Sequence, residues 1–284
     1  MLLVNSGRYR FRLNSVPGSV RESLHLMYGD QADQDTAGPA DFRISLRTDS
    51  WLRRIVRPQI TFYSDQHAPF KPVPRSQAMP ILEWGMNWCV AAHDYTRLII
   101  HAAVIAKEGR ALIFPAVPGS GKSTLAAHLA LSGWNLYSDE MAIIDGDDLT
   151  VAPLFRPVCL KNDSIGLVRN WFPDAVMTRT ARDTRKGDIA HLKAMDWQRF
   201  TSLGQAKIQG VIFPKFQQGA RFLAREMDSL ATFRQLCTHA FNYNILGETG
   251  FQVIARLVEN SRHYSLLYSD VGDVGRFISE EFFA

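Results

Sequence analysis

Between Ala116 and Ser123 the chain reads AVPGSGKS, a glycine-rich octet ending in lysine and serine. It matches the phosphate-loop pattern, with alanine where that pattern opens on glycine. Such a loop aims successive backbone N–H groups at phosphate oxygens, and the helix that follows adds partial positive charge. Gly119 and Gly121 supply tight curvature, Lys122 can neutralise the β and γ phosphates, and Ser123 can hold Mg2+. Ala116, Val117, Pro118, Ser120 and Thr124 complete the candidate nucleotide-binding set. A methyl group at position 116 is tolerated as long as φ there stays negative.

Two further signals flank the loop. Asp139 and Glu140 close an apolar stretch soon after it, where a carboxylate can reach a metal ion or an attacking hydroxyl. His101 precedes it, at the head of the apolar run LIIHAAVIA, where it could orient Asp139 or shift its pKa. Phosphoryl transfer also needs cations against developing charge. Arg156, Lys161 and Asn162 form one candidate cluster, and Arg182, Arg185 and Lys186 with Gly187 form another. Arg156 and Lys186 are the first choices, because Gly187 suggests a backbone able to approach a ligand. His191 and Asp188 are weaker candidates.

The elements that must position these residues can be read from periodicity. RYRFRL and DFRISLRT alternate as half-buried strands, with PQITFY as a neighbour. SVRESLHLMYG has helical spacing, with Val20, Leu24 and Met27 on one face and Gly29 as its stop. The Pro-rich passage His67–Pro80 is the candidate boundary. It divides an amino-terminal α+β region (1–75) from a catalytic core (76–284). ILEWGMNWCVAAHDY follows as a helix, with Trp84, Trp88 and Cys89 expected in its core face. LIIHAAVIA and ALIFPA are strands joined at KEGR by an antiparallel hairpin. A helix to Leu131 with Gly133 as its cap and the strand NLYSDEMAII come next. IQGVIFPKF and YSLLYS are later strands, and SLATFRQLCTHAF, TGFQVIARLVENS and the carboxyl end from about Val271 are helices.

Bulk composition excludes several classes. The net charge of +4 is a mild basic lean without a nucleic-acid motif, so no nucleic-acid partner is expected. Three widely spaced cysteines do not make a disulfide framework or a zinc site. The opening MLLVNSGRYRF turns polar too soon for a signal peptide, and no apolar run is long enough to cross a bilayer. The expectation is a cytoplasmic chain with no membrane partner.

The stretch His101–Thr124 with Asp139–Glu140 resembles the catalytic core of HPr kinase/phosphorylase. Over the whole chain the resemblance is to HPr kinase-related kinases of type A. It is carried by Pro80–Cys89, Pro153–Ile165, Thr184–Lys193 and Ala240–Phe251. Kinases that modify ribosomally made peptides, lasso peptides among them, look related too. The resemblance implies an α/β fold: a phosphoenolpyruvate carboxykinase-like phosphate-loop core with a smaller amino-terminal β-rich region. It implies an ATP-dependent kinase acting with Mg2+ on a serine or threonine hydroxyl of a protein or peptide. It also implies Asp139 as base, His101 beside it, Lys122 on phosphates, Ser123 on Mg2+, and Glu140 as a metal or supporting carboxylate. The chain departs from the family at Ala116, at Thr124 where an acidic residue often stands, and at Glu140 in place of aspartate. No base-reading motif separates ATP from GTP, and the resemblance leaves a homo-oligomer open. The alternatives are a nucleotide-hydrolysing switch or an ATP-binding scaffold of a peptide-modification system.

Overall fold

Alternating side chains at the amino end build the first sheet of this computed structural model, which describes residues 1–32 and 38–284. The architecture is mixed α/β, with three sheets and ten α-helices among the described residues. Contacts divide it into two units, Met1–His93 with Leu154–Thr201, and Asp94–Pro153 with Ser202–Ala284. The elements run β1 (Leu2–Asn5), β2 (Arg10–Ser15), α1 (Gly18–Tyr28), β3 (Phe42–Arg47), α2 (Leu52–Ile55), β4 (Gln59–Ser64), β5 (Val73–Pro74) and α3 (Ala78–His93). Then follow β6 (Leu98–Ile100), β7 (Ala102–Lys107), β8 (Arg110–Pro115), α4 (Lys122–Leu131), β9 (Asn135–Ser138), β10 (Ala142–Asp145) and β11 (Thr150–Val151). The chain returns to the first unit with β12 (Val158–Lys161), α5 (Asp163–Trp171), β13 (Ala181–Thr184), β14 (Gly187–Leu192) and α6 (Trp197–Thr201). It closes with β15 (Ala206–Phe216), β16 (Leu223–Glu226), α7 (Ser229–His239), α8 (Tyr243–Leu246), α9 (Glu248–Glu259), β17 (Arg262–Tyr268) and α10 (Val271–Phe282).

In the first unit a five-stranded sheet runs in the order β1-β2-β3-β4-β5, beside a three-stranded sheet β12-β14-β13. Helix α1 buries Val20, Leu24, Met27 and Tyr28, and Gly29 ends it at φ 62°. Helix α3 packs closely enough that a Cβ on Gly85 would lie 2.1 Å from the Phe62 ring. The Pro-rich passage lies inside the first contact unit. Within it Val73–Pro74 form β5, which pairs with β4, and the contact units divide after His93. Leu154–Thr201 joins the same unit because Phe155 donates its N–H to Ser6 O and packs edge-on against Tyr28.

The second unit holds a nine-stranded sheet, built around the path β6-β10-β11-β15-β8-β7-β9, with β17 paired to β15 and β16 paired to β17. The hairpin at Lys107–Arg110 is antiparallel as expected, with Glu108 and Gly109 at φ 53° and 72°. Those positive angles give a two-residue turn the twist its strands require. Strand β15 pairs in parallel with both β8 and β17. Two expected strands are broken. LIIHAAVIA divides at His101 into β6 and β7, and NLYSDEMAII divides at Asp139–Met141 into β9 and β10. The halves pair across the breaks, with Ala142 opposite Ile100 and Ser138 opposite Val104. Ile100, Val104, Ile113, Ile144, Val211 and Ile254 are each at most 1% exposed in the core of this unit. Each such side chain contributes about 1.5–3 kcal/mol by burial. No helix among the described residues is long and apolar enough to cross a membrane.

Candidate functional site

Strand β8 ends at Pro115 and delivers the glycine-rich loop. Ala116 is buried and is not among the residues with positive φ, so its methyl group introduces no strain. Gly119 and Gly121 take φ 89° and 87°, the region that favours glycine. A Cβ on Gly119 would meet nothing within 4 Å, so its requirement is conformational. A Cβ on Gly121 would lie 2.9 Å from both Phe216 Cβ and Tyr268 Oη, so there the requirement is steric as well. The loop is tied to its neighbour strand by Phe216 N–H donating to Ser120 O at 3.0 Å. Val117 is exposed at its tip.

Helix α4 begins at Lys122, and its N-cap Gly121 offers no side chain to the first-turn amides. Its far end is closed by two bonds, Trp134 N–H to Leu129 O and Gly133 N–H to Ala130 O, with Gly133 at φ 103°. That is the glycine-terminated cap the sequence anticipates. Leu125, Ala126 and Leu129 anchor the helix by burial, so the orientation of its amino end is fixed by packing.

The buried ammonium of Lys122 lies 3.0 Å from His101 Nε2, and the same nitrogen lies 3.3 Å from Glu140 Oε2. One ring nitrogen can accept from Lys122 or donate to Glu140, but not both at once. His101 therefore has two alternative partners, set by its tautomer and charge. The break in the second strand is held open by Ser138, whose hydroxyl accepts from the N–H groups of Glu140 and Met141 at 3.2 and 2.9 Å. This turn leaves Glu140 half-exposed at the His101 nitrogen, while Asp139 is 2% exposed. Three segments that the sequence singled out thus meet at two paired strand breaks.

Sequence reading missed a fourth segment. His101 donates its backbone N–H to His239 O at 2.8 Å, and Phe241 N–H donates to Ile99 O at 2.8 Å. Asn242 is 1% exposed and secures the stretch, accepting from Ile99 N–H and donating to the carbonyls of Asp94 and Arg97. The Phe241 ring packs 5.7 Å from the His101 ring. Burial holds the His239 imidazole below the usual histidine pKa, and the positive charges of His101 and Lys122 push it the same way. In sequence this stretch figured only as part of the resemblance over Ala240–Phe251, with no residue marked as a neighbour of His101.

Other expected residues lie in the first unit. Arg156 is buried, with Nε 3.0 Å from Glu83 Oε2 and Nη2 2.8 Å from Glu83 O. Tyr28 Oη donates to the other Glu83 oxygen at 2.9 Å. Its guanidinium is committed to holding α3, not presented to a ligand. Lys186 sits 5.5 Å over the Trp84 ring, which stacks on Phe70 at 4.2 Å. Trp84 is 42% exposed, so it does not belong to the core as expected. Gly187, at φ 85°, makes room for a protein group: a Cβ there would fall 2.0 Å from Asn162 Oδ1, which accepts Asp188 N–H. His191 is buried in β14, its backbone paired with Thr178.

The loop suits a phosphate chain: positive-φ glycines, an uncapped helix start and a buried lysine converge there. Among the described residues no group of three or more His, Cys, Asp or Glu side chains forms a metal cage. Ser123, Asp139 and Glu140 supply one hydroxyl and two carboxylates. This all-oxygen set is the kind Mg2+ uses together with phosphate oxygens and water. No protein-family model matches the chain, and no curated protein matches it in sequence.

Proposed function

We propose that the chain is an ATP-dependent phosphotransferase with an HPr kinase-like phosphate-loop core, moving the γ-phosphoryl group to a serine or threonine hydroxyl of a protein or peptide. The observation that carries this reading is the Lys122–His101–Glu140 chain of contacts beside buried Asp139, at the start of the helix that the loop opens. Backbone N–H groups of the loop between Ala116 and Thr124, Pro118 excepted because proline has none, and the start of α4 bind the phosphates. Ser123, Asp139 and Glu140 would hold Mg2+, which when bound supplies neutralisation of phosphate charge. Lys122 turns from His101 to the phosphates, which leaves His101 Nε2 to Glu140 and steadies the acidic pair. Asp139 accepts the proton of the acceptor hydroxyl, and its burial keeps bulk water from competing for that position. Arg156 is not used in this scheme: its Nε and Nη2 bond Glu83 in the first unit.

The test is transfer from γ-labelled ATP into a lysate of the source cells, with Lys122→Ala and Asp139→Asn alongside wild type. Expected are loss of nucleotide binding in the first, and retained binding without transfer in the second. Transfer at the wild-type rate by Asp139→Asn would remove the assigned base. A parallel arm with labelled GTP identifies the nucleotide.

A further inference from the structure

Two buried hydroxyls border the glycine-rich loop, and neither has a hydrogen-bond partner: Ser120 Oγ and Tyr268 Oη. They come from distant parts of the sequence and meet at Gly121. Tyr268 is the last residue of β17, is fully buried, and points its hydroxyl at the Cα of Gly121, 2.9 Å from the place of an added Cβ. Its ring meets Phe216 edge-on at 5.8 Å, and Phe216 in turn takes the Ser120 carbonyl on its N–H. Burial raises the pKa of this phenol, so it stays protonated and can only be of use here as a donor or neutral acceptor.

A buried hydroxyl without a partner is destabilising, and a phenylalanine would fill the same space without that penalty. Such a group calls for a role outside the packing of the resting fold. Resting on the nucleotide-loop reading above, we infer that Tyr268 is a positioning residue for the loop. Its hydroxyl gains a partner, an oxygen of the loop backbone or of the anion, when the loop closes around a polyphosphate. Ser120 Oγ gains its partner in the same movement. In this arrangement β17 senses the state of the loop through a single hydrogen bond, and Gly121 is glycine so that the phenol can come close enough.

Calorimetric titration of the full chain with MgATP and, separately, with inorganic tripolyphosphate tests the inference. Wild type, Tyr268→Phe, Ser120→Ala and Lys122→Ala are compared, and the Tm of each is taken without ligand. Tyr268→Phe is expected to keep or raise the Tm while weakening both probes about tenfold, the value of one hydrogen bond to a charged group. Ser120→Ala should behave alike, and Lys122→Ala should bind neither probe. Wild-type affinity for both probes in Tyr268→Phe overturns the inference and leaves the nucleotide reading standing. A lowered Tm in Tyr268→Phe overturns it too, because the hydroxyl would then be serving the resting fold. Weakening toward MgATP alone would place the contact on the nucleoside and reject the polyphosphate role. Wild type that binds neither probe removes the nucleotide reading, and this inference with it.

Discussion

Each unit carries a cluster of a cation, a glutamate and a third group, and the two are built in opposite ways: Arg156 meets Glu83 directly, whereas His101 stands between Lys122 and Glu140. In the first, Arg156, Glu83 and Tyr28 are all buried, and both Glu83 oxygens and its backbone carbonyl have donors. In the second, Lys122 and Glu140 share one ring nitrogen of His101, and His101 and Glu140 are about a quarter exposed. A saturated buried network has no bond left to offer a ligand and serves the fold. A network in which one ring nitrogen faces two partners can exchange them with the tautomer and charge of that ring. Cationic residues in the sequence could not be sorted between these roles by type. The count of donors against acceptors sorts them.

That contrast can be broken from either side. Glu83→Ala leaves the Arg156 charge buried and unpaired, and should lower unfolding free energy by about 3–5 kcal/mol in denaturant titration. A loss under about 1 kcal/mol would mean that water reaches the guanidinium and that the first cluster is not saturated. In the second cluster, Asp139→Asn should reduce phosphoryl transfer at least about a hundredfold while leaving the denaturation midpoint near wild type. A large stability loss with transfer intact would reverse the assignment of the two clusters.

Smaller effects sharpen the comparison. The His239 ring should titrate below the ordinary histidine value of 6.5 by NMR, and Lys122→Ala should move it part of the way back up. The recovery is partial because burial is the larger cause. In the window between the depressed value and 6.5 the unfolded chain binds more protons, so stability is full above 6.5 and falls as pH drops through the folded value. His239→Gln should flatten that part of the pH–stability curve. An unmoved His239 titration in Lys122→Ala would detach it from the cluster. Lys186→Ala removes an exposed contact with Trp84 and should cost about 0.5 kcal/mol, with transfer unchanged. A large fall in transfer would restore Lys186 as a cation for the reaction.

Much of this unit was legible in the sequence because its signals are local. The loop, the lysine that opens α4, the glycine that caps it and the hairpin before it lie within one stretch of chain, and each has its own turn or capping chemistry. The breaks at His101 and Asp139–Met141 were not legible. The strands on both sides of each are buried on both faces, so the hydrophobic pattern runs through without a change of period. His239 was missed because it reaches the site through a backbone carbonyl, which leaves no mark in residue type. The partners of Arg156 and Gly187, Glu83 and Asn162, were not legible because they lie far away in sequence. Trp84 sits on a helix apolar nearly all round, so composition could not say which aromatic would face out.

The paired breaks also bear on how this chain can vary in length. Ala142 opposite Ile100 and Ser138 opposite Val104 leave three residues on each strand between the two ladders. One residue added to either strand would turn its side chains to the opposite face on one side of the gap, and His101 would no longer face Glu140. Homologous chains should therefore differ here by replacement alone, with every insertion or deletion displaced to turns such as Asp145–Leu149. A gap in a sequence alignment between His101 and Ala142 is tolerable only at the Glu108–Gly109 turn and the end of α4. The spacing of the strands themselves is the inherited quantity.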